Sequence, residues 1–205
     1  MGSNLGSAGL MLVNTLVNIY LFVLMLRFLL QFSQADYYNP MSQGIVKATQ
    51  PVVAPVQKIL RPVGRIDIAT LFVGFLLKVI VITAIFQIAG FGMPPLQGLL
   101  LAGIAGVLNA ILKIYFFALI IMIILSWVAP RASHPGALLV MQIVEPIMAP
   151  VRRVIPPLGM IDLSPIVVFI AINLLDSVVV GSLARAAGLP GAGAVHVDSG
   201  NLEHL

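Results

Sequence analysis

The stretch PVVAPVQKILRPVGRID at residues 51–67 returns 95 residues later as PIMAPVRRVIPPLGMID at residues 146–162. Eight of the seventeen positions are identical, and most of the others are conservative changes. The same offset pairs Asn14 with Asn109 and Tyr20 with Tyr115. Similarity at one fixed offset indicates a duplicated structural unit. The chain is therefore predicted to contain two copies of one unit, at residues 10–89 and 99–183, joined by an uncharged linker at 90–98.

The composition is that of an integral membrane protein. Hydrophobic residues make up 60% of the 205 residues and charged residues 9%, whereas charged residues are roughly 25% of a soluble domain. Four apolar runs reach the ~20 residues that cross a bilayer, at 10–32, 66–89, within 99–128 and at 161–183. The predicted fold class is an all-α membrane protein with four transmembrane helices, flanked by an N-terminal tail at 1–9 and a disordered tail at 184–205. The absence of Cys excludes disulfides, thiolate metal sites and thiol catalysis.

The two copies are expected to have the same orientation in the membrane. Two spans per copy return the chain to its starting side, so the copies form parallel repeats about the membrane normal. Both Pro-rich interfacial loops, at 33–65 and 130–160, then lie on one face. The loops carry seven basic residues, Lys47, Lys58, Arg61, Arg65, Arg131, Arg152 and Arg153, and the opposite side has Arg185. The positive-inside rule predicts that the loops are cytoplasmic.

The repeated motif has the form Pro-x3-Pro-x6-Pro-x-Gly-x2-Asp. Its residues are Pro51, Pro55, Pro62, Gly64 and Asp67 in the first copy and Pro146, Pro150, Pro157, Gly159 and Asp162 in the second. Apolar residues at helical spacing over 41–50 predict a short helix lying on the membrane, and Pro51 is expected to end it. Both glycines can take a positive φ, and Asp67 is placed to cap the second span. In the second copy, Ser164 and Pro165 offer a competing helix start. The motif thus predicts a rigid turn that directs the chain back into the bilayer.

The basic residues beside the motif are candidates for contact with lipid headgroups. Lys58, Arg61, Arg152 and Arg153 follow short apolar runs, and a cation near an anionic membrane surface contributes about 1 kcal/mol. The positive-inside rule is an alternative explanation, because it accounts for the same basic residues on this face about as well. The expected partners are anionic membrane lipids and a homo-oligomer or membrane-protein partner, and nucleic acid is not expected.

Ionisable residues also fall inside the predicted spans. Arg27 lies near a span end and is expected to extend its charge to the interface. At ~1.5 Å per residue, Lys78 lies about 18 Å deep, Asp176 about 20 Å and Lys113 about 24 Å. Because a lone charge is costly in the bilayer, Asp176 is expected to pair with Lys78. One interpretation is a structural pair between spans. The other is a polar route for an ion or small solute, to which Asn14, Asn18, Asn109, Gln31, Gln87 and Asn173 would add, and which would require an oligomer.

No constellation typical of an enzyme, a metal site or a cofactor site is found. The three histidines, His134, His196 and His204, are scattered, and no nucleotide-binding glycine motif occurs. The sequence therefore favours a non-enzymatic module that organises the membrane or binds other membrane components. The alternative is a component of an oligomeric channel or transporter for ions or small osmolytes.

The repeated motif resembles that of the YggT family, also called the YlmG family. The resemblance rests on Asn39-Pro40, on the motif residues given above, on Glu145-Pro146 and on the stretch Asp162-Leu163-Ser164-Pro165. RFLLQF at 27–32 and LSW at 125–127 add to it, and it covers about residues 10–183. It implies a small bacterial inner-membrane protein linked to cell division, membrane organisation and osmotic tolerance, with no catalytic residues. The first copy departs from the family's basic pair, since it has Gln57-Lys58.

Overall fold

The structure, a computed structural model, describes residues 2–128, 134–155 and 162–189. Within these ranges the chain consists of helices and short connections, without β-strands apart from one isolated bridge between Val63 and Ile66. The elements are α1 (Gly2–Phe32), α2 (Pro40–Gln57), α3 (Ile68–Ile88), α4 (Leu96–Val128), α5 (Pro135–Val154), α6 (Ser164–Leu175), a π-helical turn (Asp176–Val180) and α7 (Gly181–Ala187). The all-α prediction is confirmed for the described residues.

Four stretches are long and apolar enough to cross a membrane, as predicted. They are Ala8–Phe32, Ile68–Ile88, Leu96–Val128 and Ser164–Ala187. Several boundaries differ from the prediction, because the helices extend into segments that were assigned to tails and linker. α1 already begins at Gly2, α4 begins inside the predicted linker, and α7 carries the fourth span to Ala187. Residues 190–205 lie outside the described ranges, so a disordered tail there stays a prediction.

The prediction that Pro51 ends the short helix is wrong. α2 continues to Gln57 with Pro51 and Pro55 inside it, and α5 has Pro146 and Pro150 at the equivalent positions. An interior proline removes a backbone donor and disfavours a helix by about 3 kcal/mol. In α2 both prolines lie on the exposed side, where the carbonyls left without a partner can be hydrated, while the opposite face is buried. The two predicted Pro-rich loops are therefore largely helices.

The core is shared by both halves of the chain. α1, α3 and α4 pack on one another, α2 packs across α1 and α3, and α5 packs across α4 and α6. One cluster of buried side chains runs through these helices, and its fully buried members include Leu21, Leu24, Met25, Leu29, Val53, Leu119, Val144 and Met148. The single cluster indicates that the two halves form one packed unit.

α2 and α5 lie at the same end of the helix bundle and contact each other. The side chain of Asn39 donates from Nδ2 to the carbonyl oxygen of Pro135 over 2.8 Å. The backbone N–H of Asp36 donates to Oε1 of Gln142 over 3.0 Å. These contacts join the segment before α2 to the start and middle of α5, so the two helices form one surface.

The opposite end is closed by a second, smaller cluster. Phe86, Ala102, Ala187 and Leu189 are buried there, which places the end of α7 against α4, with Phe86 of α3 in the same cluster. A Cβ on Gly98 would overlap the carbonyl oxygen of Ala187. Glycine is therefore required at this point for α7 to approach the start of α4 so closely.

Candidate functional site

Asp67 forms the centre of the junction between α2 and α3. Its side chain is fully buried and caps α3 by accepting from the N–H of Thr70 at 3.2 Å. The Thr70 hydroxyl donates to Oδ2 over 2.6 Å, and the Gln57 amide donates to the same oxygen over 2.9 Å. The predicted cap is confirmed, and the carboxylate also ties the end of α2 to the start of the second span.

Arg27 lies beside this carboxylate, inside the protein. Its Nε is 3.9 Å from Oδ2 of Asp67, and Nη1 donates to Oγ1 of Thr49 over 3.0 Å. Only 7% of Arg27 is exposed. α2 packs over α1 and covers the guanidinium, so Arg27 meets its partners inside the protein, and its extension to the membrane interface stays a prediction. A buried arginine in this position needs such partners, since an unpaired charge away from water is costly.

The second copy builds the same junction with a different residue. Arg152, at the position equivalent to Gln57, donates from Nε to Oδ2 of Asp162 over 3.1 Å. Its Nη1 also lies 3.1 Å from Oε2 of Glu145. The side chains of Arg152 and Asp162 are 38% and 34% exposed, whereas those of Arg27 and Asp67 are 8% and 0% exposed. The equivalent of Arg27 is Met122, so the second junction has no guanidinium from the preceding span.

Asp162 also serves the start of α6. Its Oδ1 accepts from the N–H of Ser164 at 2.9 Å, whereas the N-cap position is Leu163, which makes no side-chain capping bond. The prediction that Ser164 is the N-cap is therefore wrong by one residue. Ser164 is the first residue of α6, and its N–H is bound by the Asp162 carboxylate. Burial acts to raise the pKa of Asp162, but hydrogen bonds from Ser164 and Arg152 and the Arg152 charge outweigh it, so this pKa lies below its usual value.

The turn of the motif forms as predicted in the first copy. Val63 and Ile66 exchange backbone hydrogen bonds of 2.9 and 3.0 Å, and Gly64 has a φ of +59° between them. A residue with a Cβ is strained at this φ. Pro62 precedes the turn. Pro157 and Gly159 lie outside the described residues, so their equivalent turn stays a prediction.

The candidate headgroup cations are not equally free. Lys58, Arg61 and Arg153 are exposed, whereas the guanidinium of Arg152 is held by two carboxylates. The exposed cations lie at the α2 and α5 end of the bundle, next to the exposed apolar side chains of Ile59 and Val154. The surface thus combines free cations with apolar groups.

The predicted Lys78–Asp176 ion pair is not formed. Nζ of Lys78 donates instead to Oδ1 of Asn18 over 2.7 Å, and Oδ1 of Asp176 accepts from the Asn109 amide at 3.1 Å. The depth estimate failed because it ignored which helices are neighbours. α3 packs on α1, α2 and α4, and α4 separates it from α6 and the π-helical turn. Lys113 is exposed on α4.

The stem of the buried Lys78 packs against Gly106. A Cβ on Gly106 of α4 would lie 2.7 Å from Cε of Lys78, so the glycine makes room for the lysine stem. Asn18 is held in turn by Asn14, whose Oδ1 accepts from Nδ2 of Asn18 over 3.3 Å. Within the described ranges, no three His, Cys, Asp or Glu residues come together as a metal site would require.

Sequence reasoning identified Asp67 but missed its partners Arg27 and Gln57, as well as Thr49, which accepts from Arg27. A signal was present in the repeat, because Gln57 and Arg152 stand ten residues before Asp67 and Asp162. Two polar residues at the same sequence separation from the repeated carboxylate indicate that each copy makes the equivalent contact.

Comparison with known proteins finds one family model and several relatives. The CCB3/YggT family model matches two segments, residues 7–88 and 101–183. An uncharacterized protein of Pseudomonas aeruginosa is 43% identical over 187 residues, covering 91% of this chain and 95% of that protein. The uncharacterized protein YggT of Escherichia coli is 33% identical over 183 residues, covering 88% and 94%. An uncharacterized protein of Haemophilus influenzae is 37% identical over 165 residues, covering 80% and 87%.

No solved structure matches the chain. The family model covers most of the four apolar helices together with the two surface helices, and the relatives align over nearly their whole lengths. The chain therefore belongs to the CCB3/YggT family.

Proposed function

We propose that this protein is a non-enzymatic module that organises the bacterial inner membrane, built from two parallel repeats that hold α2 and α5 against the cytoplasmic leaflet. The observation that carries the proposal is the repeated junction between surface helix and span, Gln57 to Asp67 and Arg152 to Asp162. Such a junction fixes each surface helix relative to the bundle. The constant offset of the repeat and the two segments matched by one family model support the parallel arrangement.

The chemistry of this surface supports binding to anionic lipid. Ile59 and Val154 are 83% and 81% exposed at the ends of α2 and α5, and exposed cations, Lys58, Arg61 and Arg153, lie beside them. Apolar groups that enter the acyl boundary, flanked by cations at headgroup level, are typical of interfacial helices. Through this contact the protein would act in membrane organisation linked to cell division or osmotic tolerance.

The proposed orientation predicts the labelling of single cysteines. Because the natural chain has no Cys, Gln50→Cys and Glu145→Cys each create one thiol at an exposed, polar and equivalent position, away from the apolar groups proposed to enter the acyl boundary. Both thiols should resist an impermeant reagent in intact cells with a permeable outer membrane and react after the inner membrane is opened. Met93→Cys, 72% exposed on the opposite side, is the control and should react in intact cells. Reaction of the first two thiols without opening would reverse the orientation.

The lipid contact predicts a change in co-purified lipid. Protein extracted with its surrounding bilayer should be enriched in acidic lipids relative to the bulk membrane. Replacing Lys58, Arg61 and Arg153 together with Gln should abolish that enrichment, because each cation contributes about 1 kcal/mol at an anionic surface. Arg185→Gln, which removes a charge at the other end, should leave it unchanged. An unaltered lipid profile in the triple variant would contradict the proposal and leave the cations a role in topology alone.

A component of an oligomeric conduit for ions or small osmolytes is the second candidate. It is favoured by the polar contacts inside the spans, Asn18 to Lys78 and Asn109 to Asp176. Lys78 and Asn109 are only 8% and 7% exposed and meet their partners directly. Direct contacts between spans serve packing as well as transport, which is why the organising module ranks first.

A further inference from the structure

Polar side chains lie on the outer surface of the helix bundle, halfway along two of the spans. Lys113 stands near the middle of the span Leu96–Val128 and is exposed. Asn173 stands near the middle of the span Ser164–Ala187 and is also exposed, and Asp176, three residues later, is half-buried. A charged or amide group that faces lipid at the centre of a bilayer is costly. These side chains therefore indicate a surface that something other than lipid covers.

Two contacts fix how α4 and the fourth span lie against each other. The rings of Phe116 and Phe169 pack with their centroids 4.9 Å apart. Further along, the Asn109 amide donates to Oδ1 of Asp176 over 3.1 Å. The residue numbers fall along α4 while they rise along the fourth span, so the two helices are antiparallel and their register is set by these two pairs.

Lys113 and Asn173 lie between these two contacts. Lys113 is four residues from one contact and three from the other along α4, and Asn173 has the same spacing along the fourth span. Residues three and four apart lie on one face of a helix. Lys113 and Asn173 are therefore at nearly the same level, and together with Asp176 they form one surface, called the polar face below.

The first copy has the same pair of residue types at the equivalent positions, and there a helix covers them. At the offset of 95 residues, Lys113 corresponds to Asn18 and Asn173 to Lys78, so the lysine and the asparagine have changed places. Nζ of Lys78 donates to Oδ1 of Asn18 over 2.7 Å, and Lys78 is 8% exposed. The cover is α4, which packs on the stem of this lysine through Gly106. A third span thus buries the polar pair of the first copy.

The second copy has no such cover within the described part of the chain. α3 packs on two spans, α1 and α4, whereas its equivalent, α6 with the π-helical turn, packs on a single described span, α4. The surface helix α5 also contacts α6, but it corresponds to α2 and not to a covering span. The place that α4 takes in the first copy is therefore left open beside the polar face.

We propose that the polar face is the interface between two copies of this chain, related by a two-fold axis along the membrane normal. Copies inserted in the same orientation present each residue at the same depth, and a two-fold axis applies every contact twice. The face carries both signs of charge, so it is complementary to itself, with Lys113 of each copy meeting Asp176 of the other. The two residues differ in level by about 6 Å, four helical residues, which a lysine side chain can span.

The remaining contacts of this interface follow from the same geometry. Asn173 lies at the level of Lys113 and next to the axis, where its amide meets the amide of the second Asn173, and such amides hydrogen-bond between transmembrane helices. A carboxylate accepts from several donors, so the ammonium group of the second copy adds to the contacts that Asp176 already makes. The proposal does not depend on whether the protein organises the membrane or forms part of a conduit.

Disulfide crosslinking in native membranes tests the interface, because the natural chain has no Cys. Asn173→Cys should give a crosslinked dimer under mild oxidation, since the two thiols lie beside the axis. Leu174→Cys is the matched control, at the same depth and 61% exposed, but turned about 100° around the helix. It should stay monomeric, because thiols whose Cα atoms are more than about 7 Å apart do not bridge. Absence of the Asn173→Cys dimer, or equal crosslinking of both variants, would overturn the proposal.

Charge exchange in the Asn173→Cys background separates a contact between copies from one within a copy. Lys113→Asp and Asp176→Lys each place like charges on the face, and each alone should lower the crosslinked fraction about tenfold, the effect of a lost charged hydrogen bond. Co-expression of the two variants should restore crosslinking, because each new charge then meets its opposite on the other copy. Rescue only when both changes are in one chain would show a pair within one copy and overturn the interface.

Lys113→Met keeps the test decisive if a charge-exchanged chain does not insert into the membrane. It removes the ammonium group and leaves an apolar side chain that suits a span. The crosslinked fraction should again fall about tenfold, at an unchanged amount of protein in the membrane. An unchanged crosslinked fraction would overturn the role of Lys113 in joining the two copies.

Discussion

Replacing Arg27 with Met is expected to lower the free energy of unfolding by about 3–5 kcal/mol, the usual loss when one partner of a buried ion pair is removed. The change leaves the Asp67 carboxylate fully buried with only Gln57 and Thr70 as donors. It also removes the bond from Nη1 to Thr49. The measurement is unfolding in mixed detergent micelles, followed by pulse proteolysis.

Two variants make this result specific. Arg27→Met combined with Asp67→Asn should recover much of the loss, because two neutral side chains need no counter-charge. Arg152→Met in the second copy is the matched control, since its ion pairs are partly exposed and exposed pairs contribute only about 0–1 kcal/mol. Equal losses from Arg27→Met and Arg152→Met would show that burial of the first junction does not stabilise the fold.

Replacing Asn18 with Leu should have the next largest effect, a loss of about 2.5–3.5 kcal/mol, which is the cost of an unpartnered lysine at the centre of a bilayer helix. Lys78 is 8% exposed and its ammonium donates to Asn18. Lys78→Met alone should be nearly neutral, because the long apolar side chain fills the same groove beside Gly106. The double variant should therefore resemble Lys78→Met. Thermal stability in one detergent, measured for all three, gives the coupling energy.

A second double-mutant cycle distinguishes the contact between Asn18 and Lys78 from an ion pair between Lys78 and Asp176. Because α3 does not pack on the π-helical turn, the effects of Lys78→Met and Asp176→Asn should add within about 0.5 kcal/mol. Strong coupling between these two changes, with none between Asn18 and Lys78, would contradict the contacts described here.

Local chemistry allowed part of the structure to be predicted from the sequence. The cap by Asp67 and the positive φ of Gly64 depend on a few neighbouring residues, and both were found as expected. The four apolar spans follow from composition and length alone. Pro51 was misjudged although it is local, because the burial of one face of α2 outweighs the cost of a missing donor.

The partners of the charged residues could not be predicted in the same way. Transmembrane helices that are apolar on every side give little indication of which face meets which neighbour, so matching Lys78 to Asp176 by depth was insufficient. The partners of Arg27 were missed for a related reason. Its burial depends on how α2 folds over α1, and nothing within the first span specifies that arrangement.

The arginine–carboxylate pairs of the two junctions also differ in when they can form during synthesis. Arg27 is made 40 residues before Asp67, whereas Arg152 precedes Asp162 by ten. At roughly 5–20 residues per second, Asp67 is synthesised about 2–8 seconds after Arg27. Thr49, the other partner of Arg27, is synthesised before Asp67. The amino-terminal half therefore completes its junction only once α3 has begun to enter the bilayer, while the carboxyl-terminal half closes almost as soon as it is made. Biogenesis of the duplicated unit thus follows two different schedules within one polypeptide.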